Sequence, residues 1–160
     1  MICIAKATED DMPRIMEIER EAIIPPWTEG TLLSEIHRED SFFAVAKGDG
    51  GCQADGSPDT QPMTLGFVIL RRAGDDCELF QIAVDKAARR QSVADMLMGS
   101  ALDNAIKSGL ASVHLEVRKS NNAAFCLYKK HGFEPVRSRK DYYVDPVEDA
   151  VVMVKKLKNY

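Results

Sequence analysis

Apolar positions along this chain switch between the spacing of helices and the spacing of strands, and the switches place its elements. Ile2 to Lys6 reads as a short strand. Met12, Ile15, Ile18 and Ala22 then recur at helical intervals, predicting a helix over about Glu9 to Ala22 with Thr8 at its cap and Pro13 early enough that its missing N–H costs little. Pro25-Pro26 breaks the pattern, and a second helical segment opens at Trp27-Thr28 and runs to about Arg38, with Thr28 as its cap. Phe42 to Lys47 and Leu65 to Arg72 read as strands. Between them GDGGCQADGSPDTQPMT, residues 48–64, lacks core formers and is expected to be a long flexible loop. After the turn Gly74-Asp75-Asp76 comes the apolar run LFQIAV, Leu79 to Val84, then Asp85-Lys86, the basic turn Arg89-Arg90-Gln91 and a helix opening near Ser92. Val93, Met96, Leu97, Ala101 and Leu102 form one face of that helix. Gly109 stops it.

Ser112 to Arg118 alternates: Val113, Leu115 and Val117 point one way, His114, Glu116 and Arg118 the other. Asn122 to His131 is a short helix ending at Gly132, and Phe133 to Tyr143 and Ala150 to Leu157 suit two closing strands joined through Asp145-Pro146. Interleaved strands and helices without a linker or a repeat predict an α/β (α+β) fold around a mixed sheet, in one domain.

Composition narrows the function classes more than the fold. The 160 residues are 45% hydrophobic and 29% charged, an ordinary globule with enough chain for a core. A formal charge of −4 argues against general nucleic-acid binding and is compatible with a cationic substrate. No apolar run approaches the roughly 18 residues of a membrane helix, and the start MICIAKATEDD turns acidic too early for a signal peptide. The expected address is the cytoplasm, with no membrane partner. Cys3, Cys52, Cys77 and Cys126 are scattered, without a CxxC pair or a His at ligand spacing, so they read as bystander thiols and no metal is expected.

Chemistry gathers in two stretches. Strand, cationic turn and helix follow one another from Leu79 to Leu102, and helix starts carry unpaired N–H groups and partial positive charge. Beside Arg89 and Arg90 such a start is a cradle for phosphate oxygens, or a solvated loop that caps a core helix. In the second stretch Glu116 stands on the polar face of its strand between His114 and Arg118, where pairing with Arg118 is the plain structural role. Trp27, the only tryptophan, plugs a helix junction or touches substrate.

The second stretch, LEVRKSNNAAFCLYKKHGF from Leu115 to Phe133, resembles a signature of the GNAT acyltransferases, LEVRxSNxxAxxLYxxxGF. The resemblance is to the branch that acetylates protein N-termini, and within it to the ribosomal-protein-alanine acetyltransferases. IAVDKAARRQSVADMLM is similar to the family's acetyl-CoA motif, RKDYYVDPVEDAVVM to its closing strands, and PPWTEGTLLSEI to the segment before its second helix. One departure stands out: the family turn Q/R-x-x-G-x-G/A here reads Arg89-Arg90-Gln91-Ser92-Val93-Ala94, with Ser92 where glycine is usual. A Cβ there crowds the phosphate or a hydroxyl binds it.

The resemblance implies the GNAT fold, a mixed sheet of about seven strands with about four helices. It implies transfer of acetyl from acetyl-CoA to a protein N-terminal amine, with the alanine terminus of ribosomal protein S18 as acceptor. Acetylation of a small amine or a lysine side chain is the near alternative, and a silent CoA-binding module the distant one. By resemblance Glu116 is the base, acting through water, because an N-terminal amine with a pKa of about 7.7 to 8.0 is largely protonated at pH 7. Tyr128 is the acid that protonates the departing thiolate, or a packing residue on one face with Ala124 and Leu127. Ile82, Ala83 and Val84 would pair through their backbone with the pantetheine arm. Arg89, Arg90, Gln91, Ser92, Val93, Ala94 and Asp95 would hold the diphosphate. Asn121 would hydrogen-bond the cofactor or cap a helix. Trp27, Tyr142 and Tyr143 would border the acceptor, or in the case of the tyrosines pack the sheet. Direct transfer needs no acyl-cysteine, and Cys126 is a poor nucleophile candidate.

Overall fold

A computed structural model describes residues 1–49, 55 and 61–158. In chain order the elements are β1 (Cys3–Lys6), a 3-10 turn (Glu9–Asp11), α1 (Met12–Ala22), α2 (Glu29–Ile36), β2 (Ser41–Gly48), β3 (Met63–Ala73) and β4 (Asp76–Val84). A second 3-10 turn (Lys86–Ala88), α3 (Val93–Lys107), β5 (Ser112–Arg118), α4 (Asn122–Lys130), β6 (Glu134–Tyr143) and β7 (Glu148–Lys156) follow. Hydrogen-bonded neighbours run β1-β2-β3-β4-β5-β7-β6 in one seven-stranded sheet. It is mixed: β4 and β5 are parallel, while β1–β2, β5–β7 and β6–β7 are antiparallel. The α/β architecture expected from the sequence is the one observed.

Several boundaries move. The first predicted helix begins as a 3-10 turn, and the second ends at Ile36 rather than Arg38, with His37 as its cap. The central strand starts at Asp76, three residues before the apolar run, because Cys77 is buried and pairs with β5. Strands claim both ends of the expected 48–64 loop, since β2 reaches Gly48 and β3 begins at Met63. Most of the rest of that loop, including Cys52, lies outside the described residues.

The chain divides into two compact units. The first comprises Met1–Leu70 and Gln81–Ala101. Its helix α1 buries Met12, Ile15 and Ile18, the stripe its spacing predicted, and α2 buries Leu32. Strands β2 and β3 are buried at consecutive positions, Phe43 to Ala46 and Leu65 to Leu70, so both of their faces are covered. Phe43 and Phe67 pack with ring centroids 5.9 Å apart. Three carboxyl groups are buried among these elements, Asp11, Glu19 and Glu35; of these, Asp11 accepts from the Thr8 amide at 2.9 Å and the Thr64 hydroxyl at 3.1 Å, and pairs with Lys47 at 2.9 Å. Burial works against its charge, but Lys47 and the two hydrogen bonds outweigh burial and hold the carboxyl below its ordinary range.

The second unit comprises Arg71–Phe80 and Leu102–Tyr160. The alternation of β5 is realised, with Val113, Leu115 and Val117 buried and His114, Glu116 and Arg118 half-buried. β7 lies antiparallel along its whole length, from Ser112 opposite Lys156 to Arg118 opposite Ala150. Tyr128 of α4 meets Phe133 edge to face at 5.9 Å, and Gly132 takes the left-handed φ of +91° that ends the helix. β6, last in the sheet order, is exposed along nearly all of its length.

In the first unit Gly66 marks a close approach of β3 and β4. A Cβ on it would stand 2.7 Å from the Ala83 carbonyl oxygen, a backbone atom that cannot swing away. Gly66→Ala is therefore expected to destabilise the protein by about 1–3 kcal/mol in urea unfolding. Gly99→Ala, in α3 with open space around it, is expected to stabilise by about 0.5–1 kcal/mol.

Candidate functional site

Within the first unit, β4 ends at Val84 and the chain enters its basic turn. Asp85 anchors the start of that turn: its carboxylate accepts from the Ala87 amide at 3.1 Å and pairs with Arg14 of α1. The Arg14 guanidinium also donates to the Thr64 carbonyl at 3.3 Å, and it holds the Asp85 carboxyl below the usual carboxylate range. Arg89, Arg90, Gln91 and Ser92 are exposed, Val93 is buried as the first residue of α3, and Ala94 and Asp95 are half-buried. These residues, with Val84 and Ala88, enclose a cavity of about 250 Å³; Gln91 alone stands outside its lining and donates to the Ala87 carbonyl at 3.4 Å.

The backbone there explains the odd serine. Arg90 and Ser92 both take left-handed φ values, +65° and +62°. A glycine at position 92 would adopt this conformation without a Cβ penalty, which is a conformational reason for glycine in such a turn. The Ser92 carbonyl accepts from the Met96 amide at 3.0 Å, so the serine is the residue from which α3 starts. Two exposed guanidiniums, a left-handed turn and a helix start around one cavity suit a diphosphate, and the residues present fit the nucleotide end of acetyl-CoA. Ile82, Ala83 and Val84 close β4 just before the turn, with Ala83 buried. Trp27 is half-buried ahead of α2, and its backbone amide donates to Glu19 at 2.8 Å.

Within the second unit the other candidates gather around Glu116. Its Oε1 lies 3.4 Å from Arg139 Nε, and the Tyr142 hydroxyl donates to the same carboxylate. That hydrogen bond, followed by burial, raises the Tyr142 phenol above its ordinary value. Arg139 also sits over the Tyr142 ring at 5.4 Å. The plain alternative, Glu116 paired with Arg118, is not what forms. Arg118 instead covers Tyr143 at 4.3 Å and donates to the Pro146 carbonyl at 3.1 Å.

Tyr143 is the common neighbour of Glu116 and Tyr128. Burial first, and then the Glu116 charge, push its phenol up to about 12. Tyr128 is 8% exposed, and burial, with Tyr143 beside it, pushes its phenol well above the ordinary range. It is a packed residue whose phenol keeps its proton. Glu116 lines a cavity of about 290 Å³ with Glu78, His114, Arg137 and Arg139. Glu78 faces His114 across the β4–β5 ladder, and burial together with the Glu116 charge raises its carboxyl. Asn121 spends its side-chain oxygen on a cap, accepting from the Ala124 amide at 3.1 Å.

Sequence reasoning missed several of these partners. Local patterning gives Arg139, Glu148 and Asp149 no role. In the structure Glu148 accepts from the Ser120 amide at 2.9 Å, which ties the β6–β7 hairpin to the loop after β5, and Asp149 accepts from the Asp141 amide at 2.9 Å, which closes the hairpin on itself. The Arg14–Asp85 pair spans 71 positions, and no local pattern announces it. Cys3 and Cys126 are exposed and Cys77 is buried, all free, and no metal-binding group occurs among the described residues. Burial pushes the Cys77 thiol up to about 11, which keeps it inert.

A family model of the acetyltransferase (GNAT) family matches residues 12–133. A ribosomal protein bS18-alanine N-acetyltransferase from Haemophilus ducreyi is 32% identical over 153 residues, covering 94% of this chain and 97% of that protein. The Escherichia coli K12 protein of the same name is 33% identical over 155 residues, with 96% of each covered. The crystal structure of the Escherichia coli ribosomal-protein-S18-alanine N-acetyltransferase superposes with a TM-score of 0.81 at 31% identity, covering 100% of this chain and 96% of that one.

The turn yields two expectations. Ser92→Gly, relieving a left-handed serine, should raise stability by about 0.5–1 kcal/mol in thermal unfolding, part of the gain being offset by a freer unfolded chain. Arg14→Met, which frees Asp85, should weaken coenzyme A binding in calorimetry by about three- to tenfold.

Proposed function

This chain belongs to the acetyltransferase (GNAT) family and is an N-acetyltransferase; we propose that it moves acetyl from acetyl-CoA to the N-terminal alanine of ribosomal protein S18 in the cytoplasm. The observation that carries the acceptor is similarity from end to end, at 31–33% identity, to proteins named for that reaction. The family match, at residues 12–133, includes parts of both compact units and supports reading them as one acetyltransferase domain. Among the described residues no helix is long and apolar enough to cross a membrane.

Acetyl-CoA, when bound, supplies an acyl carbon open to attack and a thiolate leaving group. Arg89 and Arg90 would meet its diphosphate, with the turn through Ser92, Val93, Ala94 and Asp95 closing around it, while Gln91 and Asn121 would add polar contacts. The backbone of Ile82, Ala83 and Val84 would align the pantetheine arm as an added strand, and an amide there would polarise the thioester carbonyl.

Glu116 would act on the acceptor. It takes a proton from the terminal ammonium through a water, leaving a neutral amine whose nitrogen forms the new C–N bond as the C–S bond breaks; the second proton that the nitrogen then sheds replaces the one Tyr128 gives to sulfur. Arg139 and Tyr142, both in contact with this carboxylate, fix its direction. Tyr128 gives its phenolic proton to the sulfur; its burial keeps that proton in place until the thiolate forms. Trp27, Tyr142 and Tyr143 would border the acceptor's first residues.

Incubation with acetyl-CoA and an S18 peptide beginning with alanine should add one acetyl group at the α-amine, read by fragment masses. A peptide with a blocked N-terminus should stay unmodified even where it carries lysine; modification of lysine or of a small amine instead would replace the proposed acceptor. Glu116→Gln should lower kcat about a hundredfold. Tyr128→Phe should slow turnover about tenfold or more with acetyl-CoA affinity unchanged, and wild-type rates in both variants would refute these assignments.

A further inference from the structure

Glu19, in the last turn of α1, is a carboxyl with no access to water: it is 0% exposed. Its Oε1 accepts from the Trp27 amide at 2.8 Å and from Gln81 Nε2 at 3.0 Å. Its Oε2 has no partner, and neither has the buried Oε1 of Gln81. Two side chains already joined by one hydrogen bond thus each carry an unmet acceptor oxygen. Among the described residues no cation pairs with this carboxyl; what meets it is the Trp27 amide and the Gln81 carboxamide. An ionised Glu19 would hold a full charge in the core with one oxygen unsatisfied, a costly state.

A single proton resolves both vacancies. With Oε2 protonated, Glu19 donates to Gln81 Oε1 while Gln81 Nε2 donates to Glu19 Oε1, and the two side chains close a ring of two hydrogen bonds. The ring lies between two functional segments of the first unit. Trp27 leads into α2, and Gln81 immediately precedes Ile82–Val84 on β4.

We propose that Glu19 is a positioning residue: as a neutral acid paired with Gln81, it fixes the Trp27 backbone relative to the β4 segment that takes acetyl-CoA. The inference rests on the acetyl transfer proposed above. Glu19 itself touches neither substrate.

The test has two arms. In the first, urea unfolding of the wild type and Glu19→Gln is followed from about pH 5 to pH 8. Burial raises the folded-state carboxyl above its ordinary 4.5, so the folded protein retains a proton that the unfolded chain has lost. The stabilisation is complete below that ordinary value and disappears as pH rises through the raised one. Wild type should therefore lose stability relative to Glu19→Gln as pH rises, since glutamine cannot titrate. A difference that stays flat or runs the other way overturns the neutral acid.

In the second arm, Glu19→Met should raise KM for acetyl-CoA and for the acceptor peptide about tenfold with kcat within about threefold. The swap Glu19→Gln with Gln81→Glu rebuilds an acid–amide pair and should return both KM values to within about twofold of wild type. A merely structural role would lower the yield of folded enzyme and leave KM alone. Unchanged KM in Glu19→Met, or raised KM in the swap, overturns the positioning role. If Glu19→Met does not fold, the swap alone decides. If no amine is acetylated, the proposed function fails; acetyl-CoA affinity from calorimetry then replaces KM and the first arm reads out as before.

Discussion

The contact of one half-buried carboxylate with two side chains of another strand is what organises the polar face of the second unit. Glu116 sits between buried Leu115 and Val117 on β5. Arg139 supplies an opposite charge and Tyr142 a hydroxyl. Both come from β6, the exposed last strand of the sheet, and they complete the surroundings of the carboxylate carried by β5. The hairpin that presents them is fastened by Glu148 on Ser120 and by Asp149 on Asp141. Loosening those ties would leave Glu116 in place and remove its partners.

A different problem governs the basic turn. Between β4 and the start of α3 the chain enters left-handed conformations at Arg90 and Ser92. Neither residue is a glycine, so the turn carries strain that must be held by its surroundings. Asp85 provides one fixed end, through Ala87 and Arg14, and the α3 start provides the other. Within this turn the strain falls on two exposed residues, and functional sites commonly keep strained backbone of this kind.

Buried polar groups recur in the first unit and do separate jobs. Asp11 is charged because Lys47, Thr8 and Thr64 surround it, whereas Glu19 meets only an amide and a carboxamide. Burial acts on both carboxyls, but Lys47 and the hydrogen bonds outweigh it at Asp11, which is lowered, whereas burial outweighs the two hydrogen bonds at Glu19, which is raised. The first ties strand to helix as an ion pair. The second does so as a neutral hydrogen-bonding group.

The chain alone determined what depends on near neighbours. The helical stripe of Met12, Ile15 and Ile18, the alternation from Val113 to Arg118, the stop at Gly132 and the order of the motifs are properties of a few consecutive residues, and each was legible without coordinates. Motif order and spacing also carried the family. What folding decided was partnership over distance. Arg14 meets Asp85 across 71 positions, Gln81 meets Glu19 across 62, and Glu116 meets Arg139 rather than the Arg118 two residues away. Side chains at i and i+2 of a strand share a face, yet Arg118 finds a better site over Tyr143, and that site exists only once β6 and β7 have paired. Local periodicity encodes which face a side chain takes; which group waits on that face is set by the whole chain at once.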